Sequence, residues 1–226
     1  MSDSSLTTTT LVGLHDFVVD NVLRRLVRQG ERAIDLGAGS GLLATRMSEL
    51  GWQAMGADQN AAGFKAALPF ERVDLNDRSF SKQLGEGSFG MVTAVEVIEH
   101  VEAPINLLRN AGRLLKPGGH VVITTPNVDS LPARIKFALT EKIRMMDDVS
   151  EPTHISPVFW DLFRRQYLPA SGLEIEEHRF YPSNGFIATR ASYSWILLGL
   201  SWLVRGECKS GDNHVIVLRA RTNGHV

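Results

Sequence analysis

The chain has 226 residues, enough for one domain that buries a sizeable core, and nothing in its length requires a second fold. Apolar residues make up 43% and charged residues 22%, the balance of a folded globule rather than a disordered chain, and a formal net charge of -1 leaves no basic excess to hold a polyanion, so nucleic acid is not an expected partner. The single cysteine, Cys208, excludes an intrachain disulfide and a cysteine-rich zinc site; together with an N-terminus lacking the charge and apolar core of a signal peptide, it predicts cytoplasmic residence.

Residues 1–10 read as a polar, loosely docked tail. His15 to Arg28, with Phe17, Val18, Leu23, Leu26 and Val27 between polar residues, predicts an amphipathic helix, with His15 on its surface. Ala33, Ile34 and Leu36 form a short strand that stops at Asp35 and the glycine cluster Gly37, Gly39 and Gly41, after which Leu42, Leu43, Met47 and Leu50 recur at helical spacing. A second strand, Gln53 to Ala57, ends on Asp58, 21 residues beyond Gly37, where an acid can accept from the hydroxyls of a ribose. Strand, glycine turn, helix and strand-end acid predict a nucleoside cradle.

The charges select the nucleoside. The glycines read GxGxG rather than GxGxxG, and Asp35 stands two residues before the first of them, where a pyrophosphate would otherwise approach a helix N-terminus. A carboxylate there repels phosphate and attracts the sulfonium and ammonium of S-adenosylmethionine.

Further along, Asn60 to Ala67 predicts a short helix and Phe70 to Val73 a third strand ending at Asp74. Met91 to Val97 is a buried strand after the loop glycines Gly85, Gly87 and Gly90. It ends on Glu96, Glu99 and His100, which as a first helical turn would share one face at i, i+3 and i+4. Ala103 to Leu115 predicts an amphipathic helix closed by the Lys116 to Gly119 turn, and His120 to Thr125 the next strand; Asn127 after it either touches substrate or forms a turn. Ser130 to Thr153 reads as a helical insertion over the rim, Pro157 to Ala170 as a helix, and Leu173 to Phe180 and His214 to Arg219 as the last two strands. Between those strands, residues 187–205 form a second lid insertion; their apolar core, 193–204, is too short for a bilayer span and is read as a core or lid helix, a homodimer face or a peripheral membrane contact.

The Asp35 to Gly41 segment DLGAGSG, Asp74-Leu75, AVEVIEHV from Ala94 to Val101 and LLKPGGHVVITTPN from Leu114 to Asn127 together resemble, in order and spacing, the class I S-adenosylmethionine-dependent methyltransferases. The resemblance implies an α/β fold, a Rossmann-like seven-stranded and mostly parallel sheet in the order 3-2-1-4-5-7-6 with helices on both faces, as one methyltransferase domain over 1–226. It carries cofactor roles to Asp35, Gly37, Ala38, Gly39, Gly41, Leu42, Asp58, Gln59 and Glu96, and to Asp74 and Leu75 as the residues flanking the adenine, the alternative for Asp74 being a loop acid that caps the following turn.

The ExxEH segment is similar to that of the ubiquinone-biosynthesis O-methyltransferases and of the small-RNA terminal 2′-O-methyltransferases, in which such a cluster has been assigned to metal binding. That resemblance implies that Glu96, Glu99 and His100, completed by His154, bind Mg²⁺, Mn²⁺ or Zn²⁺. In a second reading His100 is a general base beside Glu96 and takes a proton from a substrate hydroxyl. In a third the histidine only packs on the sheet end. The expected acceptor is a hydroxyl on a small or lipid-linked molecule; a sugar, carboxylate, amine or RNA 3′ end, and a module that binds the cofactor without turnover, are the alternatives.

Overall fold

The computed structural model describes residues 10–147, 151–188, 207 and 210–221. Seven strands form one sheet: β1 (Arg32–Leu36), β2 (Gln53–Asp58), β3 (Phe70–Arg72), β4 (Phe89–Val95), β5 (Leu115–Pro126), β6 (Leu173–Tyr181) and β7 (Asn213–Ala220). Their order is β3-β2-β1-β4-β5-β7-β6, as expected from the resemblance. The first five run parallel, while β7 is antiparallel to both β5 and β6. The parallel strands are covered on both faces, so β4 is buried at every position and reads as a continuous apolar run broken only by Thr93.

Alternation along the strands divides the core. Ala33, Met91, Val95 and Val122 face one layer, against Leu14, Val18 and Val22 of α1, a continuous helix over 14–26, and Leu43 and Met47 of α2 (Leu42–Glu49). Ile34, Leu36, Val92, Ala94 and Ile123 face the other layer, against α3 (Phe80–Leu84), α4 (Pro104–Leu114) and, after α5 (Leu131–Thr140), Trp160 and Phe163 of α6, continuous over 160–171. Both α1 and α6 contain a π-helical turn, at Val19–Leu23 and Phe163–Tyr167. Asp35 and Thr93 share the parity of Ala33 and Met91, which aims them at the α1 and α2 side just where β1 ends.

Four local expectations change. Residues 60–67 are turns rather than a helix, because short polar side chains capture the backbone: Asp58 Oδ1 accepts from Asn60 N at 2.8 Å and Asn60 Oδ1 from Gly63 N at 3.2 Å. Strand β4 stops at Val95 rather than Val97, since Glu96 takes a left-handed backbone (φ 55°), and no helical turn follows it. Lys116 to Gly119 lies within β5 as an irregularity in its pairing with β4, where the register jumps from Phe89 opposite Leu115 to Met91 opposite His120. The helix of the first insertion ends at Thr140, with Glu141 left-handed (φ 59°).

Asn127 is a turn former. It is buried, its amide donates to the carbonyls of Ser210 (3.0 Å) and Gly211 (3.1 Å), and its Oδ1 accepts from Asp129 N (3.2 Å). Residues 1–9, Cys208 and the apolar 193–204 run lie outside the described residues, as does nearly all of the 187–205 insertion. Among the described residues no helix is long and apolar enough to cross a membrane.

Candidate active site

The glycine turn after β1 is set by close backbone approach. Gly37 has φ 69°, and a Cβ there would lie 2.6 Å from Val97 Cγ2; Gly41, with φ 88°, starts α2. Gly37 N donates to Ala57 O at 2.8 Å, tying the turn to β2, and Asp58 at the tip of β2 closes the link by accepting from Gly39 N at 3.0 Å. Asp35 lies beneath the turn, 4% exposed, with Oδ1 accepting from Thr93 Oγ1 at 2.7 Å. Burial raises its pKa from 3.8 to about 7; the Thr93 hydroxyl opposes the shift, and the negative charge of Asp58 adds to it.

At the neighbouring strand end, Glu96 is held in its left-handed conformation by Thr124 and Asn213. Thr124 Oγ1 accepts from Glu96 N at 2.9 Å and donates to Glu96 Oε1 at 2.8 Å, and Asn213 Nδ2 donates to the same oxygen at 2.6 Å. Burial nevertheless raises its pKa, against those two hydrogen bonds.

The third group is assembled from distant parts of the chain. Ile155 N and Ser156 N both donate to Glu99 O at 2.9 Å, and Ser156 Oγ donates to Val101 O at 2.6 Å, which docks the 153–156 segment on the loop after β4. His100 Nδ1 lies 3.2 Å from Thr153 O and His154 Nδ1 lies 2.5 Å from Met145 O. A carbonyl only accepts, so each Nδ1 carries a proton, and in the neutral ring it is Nε2 that presents the lone pair. The two rings meet edge to face with centroids 4.6 Å apart. Glu99 is fully buried with neither carboxylate oxygen hydrogen-bonded, and its Oε1 is 3.9 Å from His154 Nε2. Burial first, and the Glu96 carboxylate second, push its pKa well up. Burial and then His154 lower the pKa of His100, against the pull of Thr153 O and Glu151.

Ligand atoms of Glu99, His100 and His154 all lie within 4.8 Å of one another. Glu96 is outside that trio, its Oε1 turned to Thr124 and Asn213. Both imidazoles presenting unprotonated Nε2 atoms, beside a buried carboxylate with no partner, form a donor set that fits a divalent ion, the Nδ1–H to carbonyl bonds fixing the ring orientation that ligation requires.

A cavity of about 760 Å³ joins the three groups. Of the residues expected at the site, Asp35, Gly37, Ala38, Gly39, Leu42, Glu96, His100 and His154 line it. Gly41, Asp58, Gln59, Asp74, Leu75 and Glu99 are not on that lining. Gly41 faces the ring of Phe64, which also packs against Gly56 and meets the Phe70 ring at a 36° tilt with centroids 4.7 Å apart. The Asp58 carboxylate is taken by Gly39 N and Asn60 N, Gln59 is exposed with its carbonyl accepting from Arg72 Nε at 3.2 Å, Asp74 Oδ1 caps Asn76 N at 2.9 Å, and Leu75 packs against the core.

The cavity also has wall residues that no motif marked: Thr10, Leu11, Val12 and His15 from the N-terminal segment, and Met145, Glu151 and Thr153 from the 130–153 insertion expected over the rim. His15 is not the surface residue expected. The Glu151-Pro152 pair before His154 was the available signal for Glu151, whose carboxylate accepts from Thr153 Oγ1 at 2.8 Å and is held below its usual pKa chiefly by that bond.

A parallel sheet in this order, with a glycine turn over a buried acid after β1 and a second acid at the tip of β2, defines the S-adenosylmethionine-dependent methyltransferase class. The chain belongs to that class through the family described as "Methyltransferase domain", whose model matches residues 14–180. It is similar to the ubiquinone biosynthesis O-methyltransferase of Marinobacter nauticus, 29% identical over 167 residues covering 68% of each chain. It is also similar to the ubiquinone biosynthesis O-methyltransferase of Xanthomonas oryzae pv. oryzae, 36% identical over 124 residues, though that match spans only 52% of either chain. Among solved structures, a SAM-dependent methyltransferase from Archaeoglobus fulgidus has the same fold, with a TM-score of 0.60 at 18% identity over 90% of this chain and 93% of that one.

Proposed function

We propose that the chain transfers the methyl group of S-adenosylmethionine to a hydroxyl oxygen on a small or lipid-linked acceptor, in the cytoplasm. The observation that carries this reading is the convergence of His100, His154 and the unpartnered Glu99 beside the cavity that the glycine turn also lines. The name printed for the two relatives supports the choice of oxygen as acceptor. With a net charge of -1 the chain lacks the basic surface that a polynucleotide acceptor requires.

S-adenosylmethionine supplies an activated methyl on a sulfonium that leaves as a neutral thioether, so the chain has to position and deprotonate rather than activate. Asp35 attracts the ammonium of the amino-acid arm by its charge, and Asp58, each of whose oxygens keeps a lone pair beyond the one given to Gly39 N or Asn60 N, is the acceptor for the ribose hydroxyls. The buried side chains of Leu43 and Val95, with half-buried Leu42 beside them, give the path between the glycine turn and His100 an apolar wall that disfavours water.

Glu99, His100 and His154 would hold a divalent ion, and two imidazoles with one carboxylate favour Zn²⁺ or Mn²⁺ over Mg²⁺. Such an ion lowers the pKa of a hydroxyl it contacts. His100 Nε2, with its lone pair directed by the Nδ1–H to Thr153 carbonyl bond, is the alternative proton acceptor, a catalytic reading that needs no metal.

Chelation separates the two. The metal reading predicts that EDTA abolishes transfer to a catechol or phenol acceptor, that Zn²⁺ or Mn²⁺ restores it, and that calorimetry records one ion bound per chain, lost in His154→Ala. A transfer rate indifferent to EDTA, with no ion bound, leaves His100 as the base. Absence of transfer to every hydroxyl in a broad acceptor panel would overturn the choice of oxygen.

A further inference from the structure

Glu151 reaches the cavity from a turn that it shares with His154. Glu151 N donates to Asp147 O at 3.0 Å and His154 N donates to Glu151 O at 3.3 Å, so residues 151–154 fold back on themselves, with Pro152 restricting the backbone between. Ile155 N and Ser156 N pin the end of the turn to Glu99 O. Within it, Glu151 Oε1 accepts from Thr153 Oγ1 at 2.8 Å, while Thr153 O accepts from His100 Nδ1 at 3.2 Å. One hydroxyl residue therefore ties the glutamate to the imidazole that faces the acceptor, and Glu151, Thr153, His100 and His154 all line the cavity.

The charge on this wall is unbalanced. Thr153 engages Oε1 alone; among the described residues Glu151 Oε2 has no partner and no cation pairs with the carboxylate. Glu96 and Glu99 are buried, which raises the pKa of both, and Asp35 faces the ammonium in the cofactor reading. Glu151 is only half-buried, so it is an ordinary ionised glutamate at neutral pH, and the Thr153 hydroxyl favours that form further. No lysine or arginine lines the cavity among the described residues; the rest of the wall on the insertion and N-terminal side is Met145, Leu11 and Val12, apolar and without charge to offset the acid.

We infer that Glu151 is a specificity residue for the acceptor, its free carboxylate oxygen repelling a hydroxyl compound that also carries an acid group and favouring one that is neutral or cationic. The inference rests on the hydroxyl-acceptor reading above and narrows it, since small hydroxylated acceptors include both phenols and hydroxy acids. A second carboxylate brought to about 6 Å from Glu151, in a site partly open to water, meets a repulsion worth about tenfold in binding, a protonated amine gains a similar factor, and salt weakens both effects.

The test compares three catechols that differ in one ring substituent: a carboxylate, the neutral carboxamide of nearly the same size, and a protonated aminomethyl group. Each is assayed with the full chain and S-adenosylmethionine near neutral pH. For the native chain, kcat/KM for the carboxylate is expected to lie at least tenfold below that for the carboxamide, the difference residing in KM, and the aminomethyl compound at or above the carboxamide. Added salt is expected to narrow the series. Glu151→Gln, whose Oε1 still accepts from Thr153, is expected to bring the carboxylate to within about threefold of the carboxamide, and Glu151→Lys to reverse the order. Affinity for S-adenosylhomocysteine is the control that each variant is folded. If the native chain shows no such order, or Glu151→Gln keeps the native ratios or lowers all three rates alike, the assignment of Glu151 is overturned while the hydroxyl-acceptor reading stands. If the native chain methylates none of the three, the reading of a phenolic hydroxyl falls and the assignment with it.

Discussion

The two walls of the cavity are built by different physics. The cofactor wall, β1 through the start of α2, comes from a run of contiguous residues whose backbone does most of the work: Gly37, Gly39 and Gly41 adopt left-handed angles, and the turn is tied to Ala57 by main-chain hydrogen bonds. The acceptor wall has no such continuity. His154 is oriented by Met145 O; Met145 is itself left-handed (φ 64°) and follows Arg144, which is buried in an ion pair with Asp212 at 2.7 Å, 68 residues further on. Backbone geometry is written locally and survives in a motif, whereas a wall assembled by side chains across the fold can be rebuilt for another acceptor without disturbing the cofactor.

That contrast can be broken most forcefully on the acceptor wall. His100→Ala is expected to lower kcat/KM by about 10²–10³-fold, because it removes the group that deprotonates or directs the nucleophile, while the affinity for S-adenosylhomocysteine changes less than twofold. A comparable loss of cofactor affinity in a titration would show that the walls are not separable. Asp212→Asn should come next. It removes the negative charge that pairs with buried Arg144 and that accepts from Ile187 N and Ala188 N, and is expected to destabilise the chain by about 3–5 kcal/mol in denaturant unfolding.

On the cofactor wall, Asp58→Ala is expected to raise the Kd for S-adenosylhomocysteine by more than tenfold through loss of ribose hydrogen bonds, with unchanged affinity refuting that placement. The smallest expected effect is a pH dependence. Ionised Asp35 attracts the ammonium of the amino-acid arm, so protons compete with S-adenosylmethionine below about pH 7: affinity should rise about fivefold between pH 6 and 7 and about twofold more above it before levelling off, and Asp35→Asn should flatten that rise. In the free protein the sign is opposite. Between about pH 4 and 7 the native chain holds a proton that the unfolded chain gives up, so the contribution of Asp35 to stability falls as pH rises through that window.

The same division explains what could be read before the structure. The glycine turn, Asp35 and the strand-end acids were legible because their spacing follows from strand and turn geometry, and the sheet order followed from the resemblance that these motifs carry. Glu96, Glu99 and His100 were singled out together, but their shape was misjudged. A helical turn would have put all three on one face, whereas the left-handed Glu96 turns its carboxylate to Thr124 and Asn213 and leaves the other two with His154. Residues 60–67 carried enough helical propensity to mislead, and Asx-type bonds from Asp58 and Asn60 decided against it. His15 was illegible for a different reason. Its place in the cavity depends on Tyr181, 166 residues away, whose hydroxyl donates to Val12 O at 2.6 Å, and no local pattern encodes that contact.

The account stands on the claim that the cavity beneath the glycine turn receives a cationic sulfur nucleoside. Calorimetric titration of the purified full chain with S-adenosylmethionine, S-adenosylhomocysteine, NAD and ATP tests it most directly. Binding of the first two, with no heat from the phosphate-bearing pair, is the predicted result; capture of NAD or ATP in preference to them would contradict it.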